Sequence, residues 1–174
     1  EASLLKFFNR KNVQLGLNVY YNLLDNYITR DFYELDGNPT SVYDGESVIT
    51  IASVNKDRAY IIGGTFSGKG QFDSNVYASG SVTYTKGKAY DTKRPLSSIP
   101  PIFGDLEFGY ENNKFGAGLR WRFNGKKDIT DYNLIEGIDN AIQSPQNEQG
   151  LFIGTPKWNT LDINLNYNFV FLIL

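Results

Sequence analysis

The sequence predicts an all-β protein whose antiparallel strands form a segment of a transmembrane β-barrel. Three observations predict this fold: apolar and polar residues alternate in segments of about ten residues, aromatic residues lie near the segment ends, and short and long connections alternate. The 174 residues include 12 Tyr, 12 Phe and 17 Gly. The mean hydropathy of −0.36 is compatible with a barrel, because only every second strand residue meets lipid.

The most regular strand pattern lies at 114–124, with the sequence KFGAGLRWRFN. Side chains alternate across a strand, so one face is wholly apolar, and the opposite face carries two glycines and four polar residues, Lys114, Arg120, Arg122 and Asn124. A packed core would not accept these cations unpaired. About ten tilted residues cross a bilayer, so the segment is typical of a membrane-barrel strand.

Five segments alternate cleanly, and a short apolar piece at 3–8 is interpreted as the end of a further strand. We expect strands at 3–8, 13–32, 47–71, 75–85, 103–110, 114–124 and 157–169. The second is longer than a bilayer requires, so we expect it to project beyond the membrane. Short turns at 9–12, 71–74 and 111–113 alternate with long connections at 34–46, 86–101 and 125–156. Short turns on one rim and long extracellular loops on the other are typical of outer-membrane barrels.

A soluble antiparallel sheet with one buried face would alternate in the same way. Strand lengths near ten residues, paired aromatic belts and alternating loop lengths favour the barrel over a soluble β-sandwich or lectin-like binding module. A passive porin or an adhesin barrel remains a second alternative, which would differ from a receptor in having no plug domain upstream.

The composition argues against several functions. A net charge of −2 and a pI near 5.2 do not favour a nucleic-acid partner. The sequence contains neither Cys nor His, so thiolate chemistry and the commonest general base are missing. No catalytic arrangement of residues is recognisable, and we do not expect an enzyme.

Neither a cofactor site nor a metal site is expected. Residues 63–70, GGTFSGKG, nearly match a phosphate-binding loop, but Gly70 replaces the Ser or Thr that would bind Mg²⁺, and no amphipathic helix follows. Asp36, Asp44 and Glu46 offer oxygen ligands without the spacing of a calcium loop, and Asp-Gly turns account for the same pattern.

Two candidate ligand-binding residues lie on the polar face of the most regular strand. Arg120 and Arg122 would face the barrel lumen, where cations tune selectivity for anionic solutes. Asp105 and Glu107 lie on the polar face of the preceding strand. Cross-strand ion pairs with these carboxylates are therefore the favoured interpretation, with a ligand contact as the alternative.

Three further candidates lie in the long connections. Tyr90 and Arg94 belong to the connection at 86–101, and Tyr132 belongs to the connection at 125–156. Loops carry binding residues more often than the scaffold that positions them. These side chains are therefore candidates for contact with a solute at the extracellular side, although for any one of them a solvated loop residue that binds nothing is the favoured interpretation.

Three short motifs, at 81–87, 95–101 and 154–161, resemble those of TonB-dependent outer-membrane receptors of the Bacteroidetes type. Residues 95–101, PLSSIPP, are similar to the family's "IPP" segment, where a long extracellular loop enters a barrel strand. Residues 154–161, GTPKWNTL, resemble the entry into a late strand, and 81–87, SVTYTKG, resemble a strand end. The sequence is thus similar to the C-terminal part of such a barrel.

The resemblance implies a barrel of about 22 strands closed by an N-terminal plug, of which residues 1–169 would supply about seven strands. The apolar tail 170–174 departs from the family pattern, and we expect a truncated or misread end. We expect the chain to be a fragment, because it begins without Met and partway along a strand pattern.

The implied function is TonB-dependent active uptake of a scarce solute across the outer membrane of a Gram-negative bacterium. The solute would be a ferric siderophore, haem, cobalamin or a glycan. The implied partners are the lipid bilayer, an extracellular small molecule or metal chelate, and the TonB complex. Contact with the TonB complex would require the plug region and TonB box, which this sequence does not contain.

Overall fold

The structure is a computed structural model that describes residues 1–8, 12–141 and 144–169. Its main sheet contains seven antiparallel strands, and strands that follow one another in the order given next are hydrogen-bonded to each other. They are β1 (Ala2–Phe8), β2 (Val13–Phe32), β5 (Ile51–Gln71), β6 (Val76–Ala89), β7 (Phe103–Glu111), β8 (Phe115–Asn124) and β11 (Trp158–Tyr167). The predicted antiparallel wall of about seven strands is confirmed, and the described sheet does not close on itself.

The remaining elements lie in the long connections. Between β2 and β5 there is a hairpin of β3 (Thr40–Tyr43) and β4 (Glu46–Ile49). Between β8 and β11, a short ladder joins β9 (Lys127–Asp128) to β10 (Gly154–Thr155). A 3₁₀ turn (Ile129–Asp131) and helix α1 (Leu134–Ala141) lie between those two strands.

Three sequence-based boundaries differ from the structure. Residues 47–49, predicted to begin the third strand, belong instead to a hairpin in which 46–49 pair with 40–43. Asp44 and Gly45 take the positive φ values of 51° and 82° that this tight turn requires. Strand β6 continues to Ala89, where the prediction ended it at residue 85. The connection at 125–156 contains the ordered elements above. Most of the predicted turn at 9–12 and all of the tail 170–174 lie outside the described residues.

The strand register assigns the two faces of the sheet. Val13 of β2 lies opposite Gly70 of β5, and Gly70 lies opposite Ala78 of β6, so a row of opposed residues crosses the three strands. Directly opposed residues share a face. The apolar face therefore holds Leu15, Leu17, Val19, Phe66, Val82, Tyr84, Leu106, Phe108, Leu119, Trp121, Leu161, Ile163 and Leu165.

No second layer covers this apolar face in the part of the chain that the structure describes. Leu161, Ile163 and Leu165 of β11 are 61%, 70% and 71% exposed. A soluble sandwich would pack a second sheet here. A continuous apolar face without a protein cover fits contact with lipid hydrocarbon.

The opposite face is polar and hydrogen-bonded between strands. Thr65 and Thr83 share a hydrogen bond of 2.9 Å between their hydroxyl groups. The Tyr77 ring lies across Gly109, where an added Cβ would come within 2.3 Å of the ring. A side chain at this position would therefore force the Tyr77 ring to move, because the tyrosine of one strand occupies the space above the next.

The most deeply buried apolar side chains lie outside the membrane wall. Among the described residues, they are Ala59, Ala89, Leu96, Tyr132 and Ile135. They lie where the upper parts of β5 and β6 meet the long connections. An ion pair of 2.7 Å between Arg30 of β2 and Asp139 of α1 adds a polar contact between a strand and the helix. The long loops therefore fold onto the projecting strands.

No helix in the described ranges 1–8, 12–141 and 144–169 has the length and apolar character needed to cross a membrane.

The isolated 174-residue chain should aggregate when it is expressed without detergent. Its apolar face is exposed, and the outer edges of β1 and β11 are unpaired within the described sheet. Size-exclusion chromatography checks this expectation. A soluble, monodisperse monomer in plain buffer would contradict the assignment of the apolar face to lipid.

A charge on the apolar face should destabilise the intact barrel that contains this chain. Ile163→Lys places an ammonium group near the middle of the lipid-facing stripe, and we expect a loss of about 2–4 kcal/mol. Asn164→Lys is the matched control, since it places the same group on the polar face one residue away. Urea unfolding in lipid vesicles measures both. Equal losses would show that the two faces are assigned wrongly.

Candidate functional site

The five candidate residues lie in three separate places. Arg120 and Arg122 lie on the polar face of β8. Tyr90 and Arg94 lie in the turn that follows β6, and Tyr132 lies between the 3₁₀ turn and α1. The structure does not bring all five into one pocket, so the polar wall and the loop region are described separately.

Arg120 forms the cross-strand ion pair that the sequence favours. Its Nε donates to Glu107 Oε2 at 2.8 Å, and Nη2 contacts the same oxygen. Glu107 also accepts a hydrogen bond of 3.1 Å from the Tyr77 hydroxyl group. The result is a Tyr–Glu–Arg chain across β6, β7 and β8.

Arg122 pairs in the other direction. Its Nη2 donates a hydrogen bond of 2.8 Å to Asp162 Oδ2 of β11. Asp105, which lies directly opposite Arg122 on β7, instead accepts a hydrogen bond of 2.7 Å from the Ser81 hydroxyl group. The expected pairing of Arg122 with Asp105 or Glu107 is therefore wrong, because β11 offers a carboxylate on its other side. Asp162 comes from a strand 40 residues away, and sequence distance concealed it.

Both guanidinium groups remain about half exposed, with side-chain exposures of 46% for Arg120 and 53% for Arg122. Each is paired with one carboxylate and retains donors that face away from it. The wall is therefore close to neutral in charge, and it still presents N–H groups to whatever occupies the lumen.

Tyr90 lies in a tight turn at the top of β6. Its backbone N–H donates to the carbonyl of Arg58 at 2.8 Å, and its ring meets the Tyr60 ring edge-on, with 5.7 Å between centroids. Lys93 has a φ of 56° and places Nζ 4.8 Å from the centre of the Tyr90 ring. The Tyr90 ring is 46% exposed, so it remains accessible to a ligand.

Arg94 closes the same turn, since its carbonyl accepts a hydrogen bond of 2.9 Å from the Ala89 N–H. It lines a small cavity of about 120 Å³ between the projecting strands and α1, together with Asp31, Lys56 and Asn133. Lys56 and Asp31 form an ion pair of 2.7 Å. Sequence analysis missed these three residues. For Asp31 and Lys56, the only indication in the sequence was the unusual length of the strands that carry them, β2 and β5.

Asp91, in the same turn, adds a negative charge beside this cavity. The backbone N–H of Thr92 donates to its carboxylate at 2.6 Å and lowers the pKa of Asp91 below its ordinary value. The carboxylate is therefore charged at neutral pH. The cavity near Arg94 carries both signs of charge.

Tyr132 is only 8% exposed. Its hydroxyl group shares a hydrogen bond with Thr155, and Lys127 Nζ lies 4.1 Å above its ring. Lys127 also pairs with Glu136 of α1 at 3.1 Å. These contacts join the two ends of the connection to its helix. A ligand contact for Tyr132 stays a prediction, and its observed contacts are those of a packing residue.

Across the portion of the chain with described coordinates, no three His, Cys, Asp or Glu side chains converge to hold a metal ion.

The fold and its two faces define a class of protein, an outer-membrane β-barrel whose polar face lines a lumen. A family model described as "TonB dependent receptor-like, beta-barrel" matches residues 1–171. The chain belongs to this family of outer-membrane receptor barrels.

Among solved structures, the chain is similar to a protein described as "Copper transporter OprC". The TM-score is 0.69 at 19% sequence identity, and the match covers 97% of this chain and 22% of that one. At this identity the likeness shows the fold, and the chain spans under a quarter of that protein's length. No curated protein sequence matches the chain significantly.

Removing Lys127 should loosen the connection at 125–156 in the intact barrel. Its side chain is 9% exposed, and Lys127→Ala would leave the 18%-exposed Glu136 carboxylate without its cation. Breaking such a buried pair costs about 3–5 kcal/mol. We expect faster hydrogen exchange and proteolysis within this connection.

Lys126→Ala provides the matched control. Lys126 pairs with Asp128 at the surface, with side chains 49% and 52% exposed. Loss of an exposed pair costs about 0–1 kcal/mol. If the two variants are cleaved at the same rate, the Lys127–Glu136 pair does not stabilise the connection.

Proposed function

We propose that this chain forms part of the wall and extracellular mouth of an outer-membrane receptor for TonB-dependent active uptake of a scarce solute. The family membership supports the class of protein. The observation that carries the proposal is the pairing of a hydrogen-bonded polar wall with ordered long loops on one rim. A solute would meet the loops first and then pass the polar wall.

Tyr90 and Arg94 are the proposed first contacts with the solute. The exposed Tyr90 ring offers an apolar surface beside Tyr60, with Lys93 above it. Arg94 lies separately, beside Lys56 and Asp31 in the small cavity. An aromatic ring with neighbouring cations suits a small molecule that combines rings or hydroxyl groups with negative charge. Ferric siderophores, haem, cobalamin and glycans all remain in this class.

Arg120 and Arg122 are the proposed contacts deeper in the barrel. Their remaining donors face the polar side of the wall, where a plug or a passing anionic group would lie. Because each is already paired with a carboxylate, we propose a transient contact rather than a tight anion site. The structurally similar protein is described as a copper transporter, and a metal-containing solute is therefore included in the test below.

The test uses a strain that lacks the native receptor and carries the intact gene on a plasmid. Growth on each class of solute as sole iron, cobalamin or carbon source identifies the solute, and copper accumulation is measured in parallel. Deletion of TonB should abolish uptake. Uptake that persists without TonB would support a passive porin instead.

Arg94→Gln should then raise the KM of uptake on the order of ten-fold, the effect of losing one charge-assisted hydrogen bond to the solute. Lys114→Gln is the control, because Lys114 is an exposed cation at the short-turn rim. An equal KM for both variants would remove Arg94 from the proposed contacts and leave the TonB result unaffected.

A further inference from the structure

Strand β6 carries two lysines on its outer face, directly beyond the lipid-facing residues. Tyr84 lies opposite Gly64, which lies opposite Val19, so Tyr84 belongs to the apolar face. The register continues without a bulge through Lys86 and Lys88. Both lysines therefore project from the same side of the sheet as Tyr84, toward the surroundings of the barrel.

The intervening residues point the other way and are covered. Gly87 and Ala89 are buried, and an added Cβ on Gly87 would lie within 2.8 Å of Ile99. Lys86 is exposed. In the part of the chain that the structure describes, neither the Lys86 nor the Lys88 ammonium group has an ion-pair or hydrogen-bond partner. Two unpaired cations thus lie side by side on an outer surface.

Their height matches the lipid headgroup layer. Two residues advance a strand by about 6.6 Å, or about 5 Å in height at the usual tilt. With the half-exposed Tyr84 ring at the hydrocarbon boundary, Lys86 would lie about 5 Å and Lys88 about 9 Å above that boundary. The headgroup layer is about 5–8 Å thick on each side of the bilayer. Lys86 thus lies within this layer, and the backbone of Lys88 lies just above it, from where its long side chain can reach down to the phosphates.

The surroundings of the two lysines are basic and aromatic. A recess of about 220 Å³ at the edge of β6 is lined by Lys86, Lys88, Lys126 and Lys127, with Asp131 as its acidic residue. Lys127 is paired with Glu136. Lys126 is paired with Asp128. Tyr60 lies directly opposite Lys88 on the neighbouring strand. An anionic group is favoured here, and aromatic rings suit the membrane interface.

We propose that Lys86 and Lys88 bind the phosphate of a lipid headgroup in the outer leaflet of the membrane. The phosphate would occupy the recess beside the two ammonium groups, and the lipid chains would follow the apolar face below Tyr84. This site lies on the outside of the barrel. It is therefore independent of the solute that passes through the lumen.

The test measures lipid binding by the intact receptor, purified in a neutral detergent, with native mass spectrometry. Phosphatidic acid is the anionic probe, and phosphatidylcholine is the zwitterionic comparison. Each lysine near a membrane surface contributes about 1 kcal/mol, which corresponds to about five-fold in affinity. The double variant K86Q/K88Q should thus weaken phosphatidic acid binding about 25-fold, and K86Q alone about five-fold.

The matched control is K69Q, because Lys69 is exposed but lies on the polar face of β5, opposite Gln14 and Ser79. Its affinity for phosphatidic acid should remain within about two-fold of the wild type. Folding of each variant is verified by heat-dependent mobility on gels, and K86Q alone serves if the double variant does not fold.

Two results would overturn the proposal. One is equal retention of phosphatidic acid by the wild type, K86Q/K88Q and K69Q. The other is lysine-dependent binding of inorganic phosphate as tight as that of the lipid, which would indicate a site for a soluble anion. A failed uptake assay would not affect either measurement, so the two proposals are tested separately.

Discussion

Backbone hydrogen bonding at membrane depth is the constraint on which this structure depends. Hydrocarbon offers no partner for an N–H or a carbonyl group, so every strand must be paired on both sides. The ladders join β2, β5, β6, β7, β8 and β11 in that order, and the register stays constant within each ladder. With pairing set in this way, the period of two separates the side chains into a lipid face and a lumen face.

Apolar side chains are exposed in the strands and buried in the loops, which is the opposite of their distribution in a soluble domain. Large apolar residues such as Ile163 are exposed in the wall, while Ile135, in a loop helix, is 2% exposed. Lipid provides the apolar surroundings for the wall, so the wall needs no protein core. The long connections face water and must bury their own apolar residues, which they do against the projecting ends of β5 and β6. Their order follows from this packing and from the pairing of Lys127 with Glu136.

Charged side chains are arranged differently in the polar wall and in the loops. In the wall, Arg120 and Arg122 each meet a carboxylate on an adjacent strand, which neutralises both cations locally. In the loops, Asp31, Lys56 and Arg94 meet because β2 and β5 extend beyond the bilayer and β6 turns back on them. The long strands thus support the residues that a solute would meet first.

The main strands, their two faces and the alternation of short and long connections follow from the local sequence pattern, because period two is local and lipid imposes it at every strand. Local rules also place Arg120 beside Glu107, since the turn between their strands is short. The folded chain alone sets the pairing of Arg122 with Asp162, the hairpin that includes residues 46–49 and the burial of Tyr132. Each of these depends on contacts between segments that compete for the same partner, and the strength of a competing contact cannot be read from local spacing.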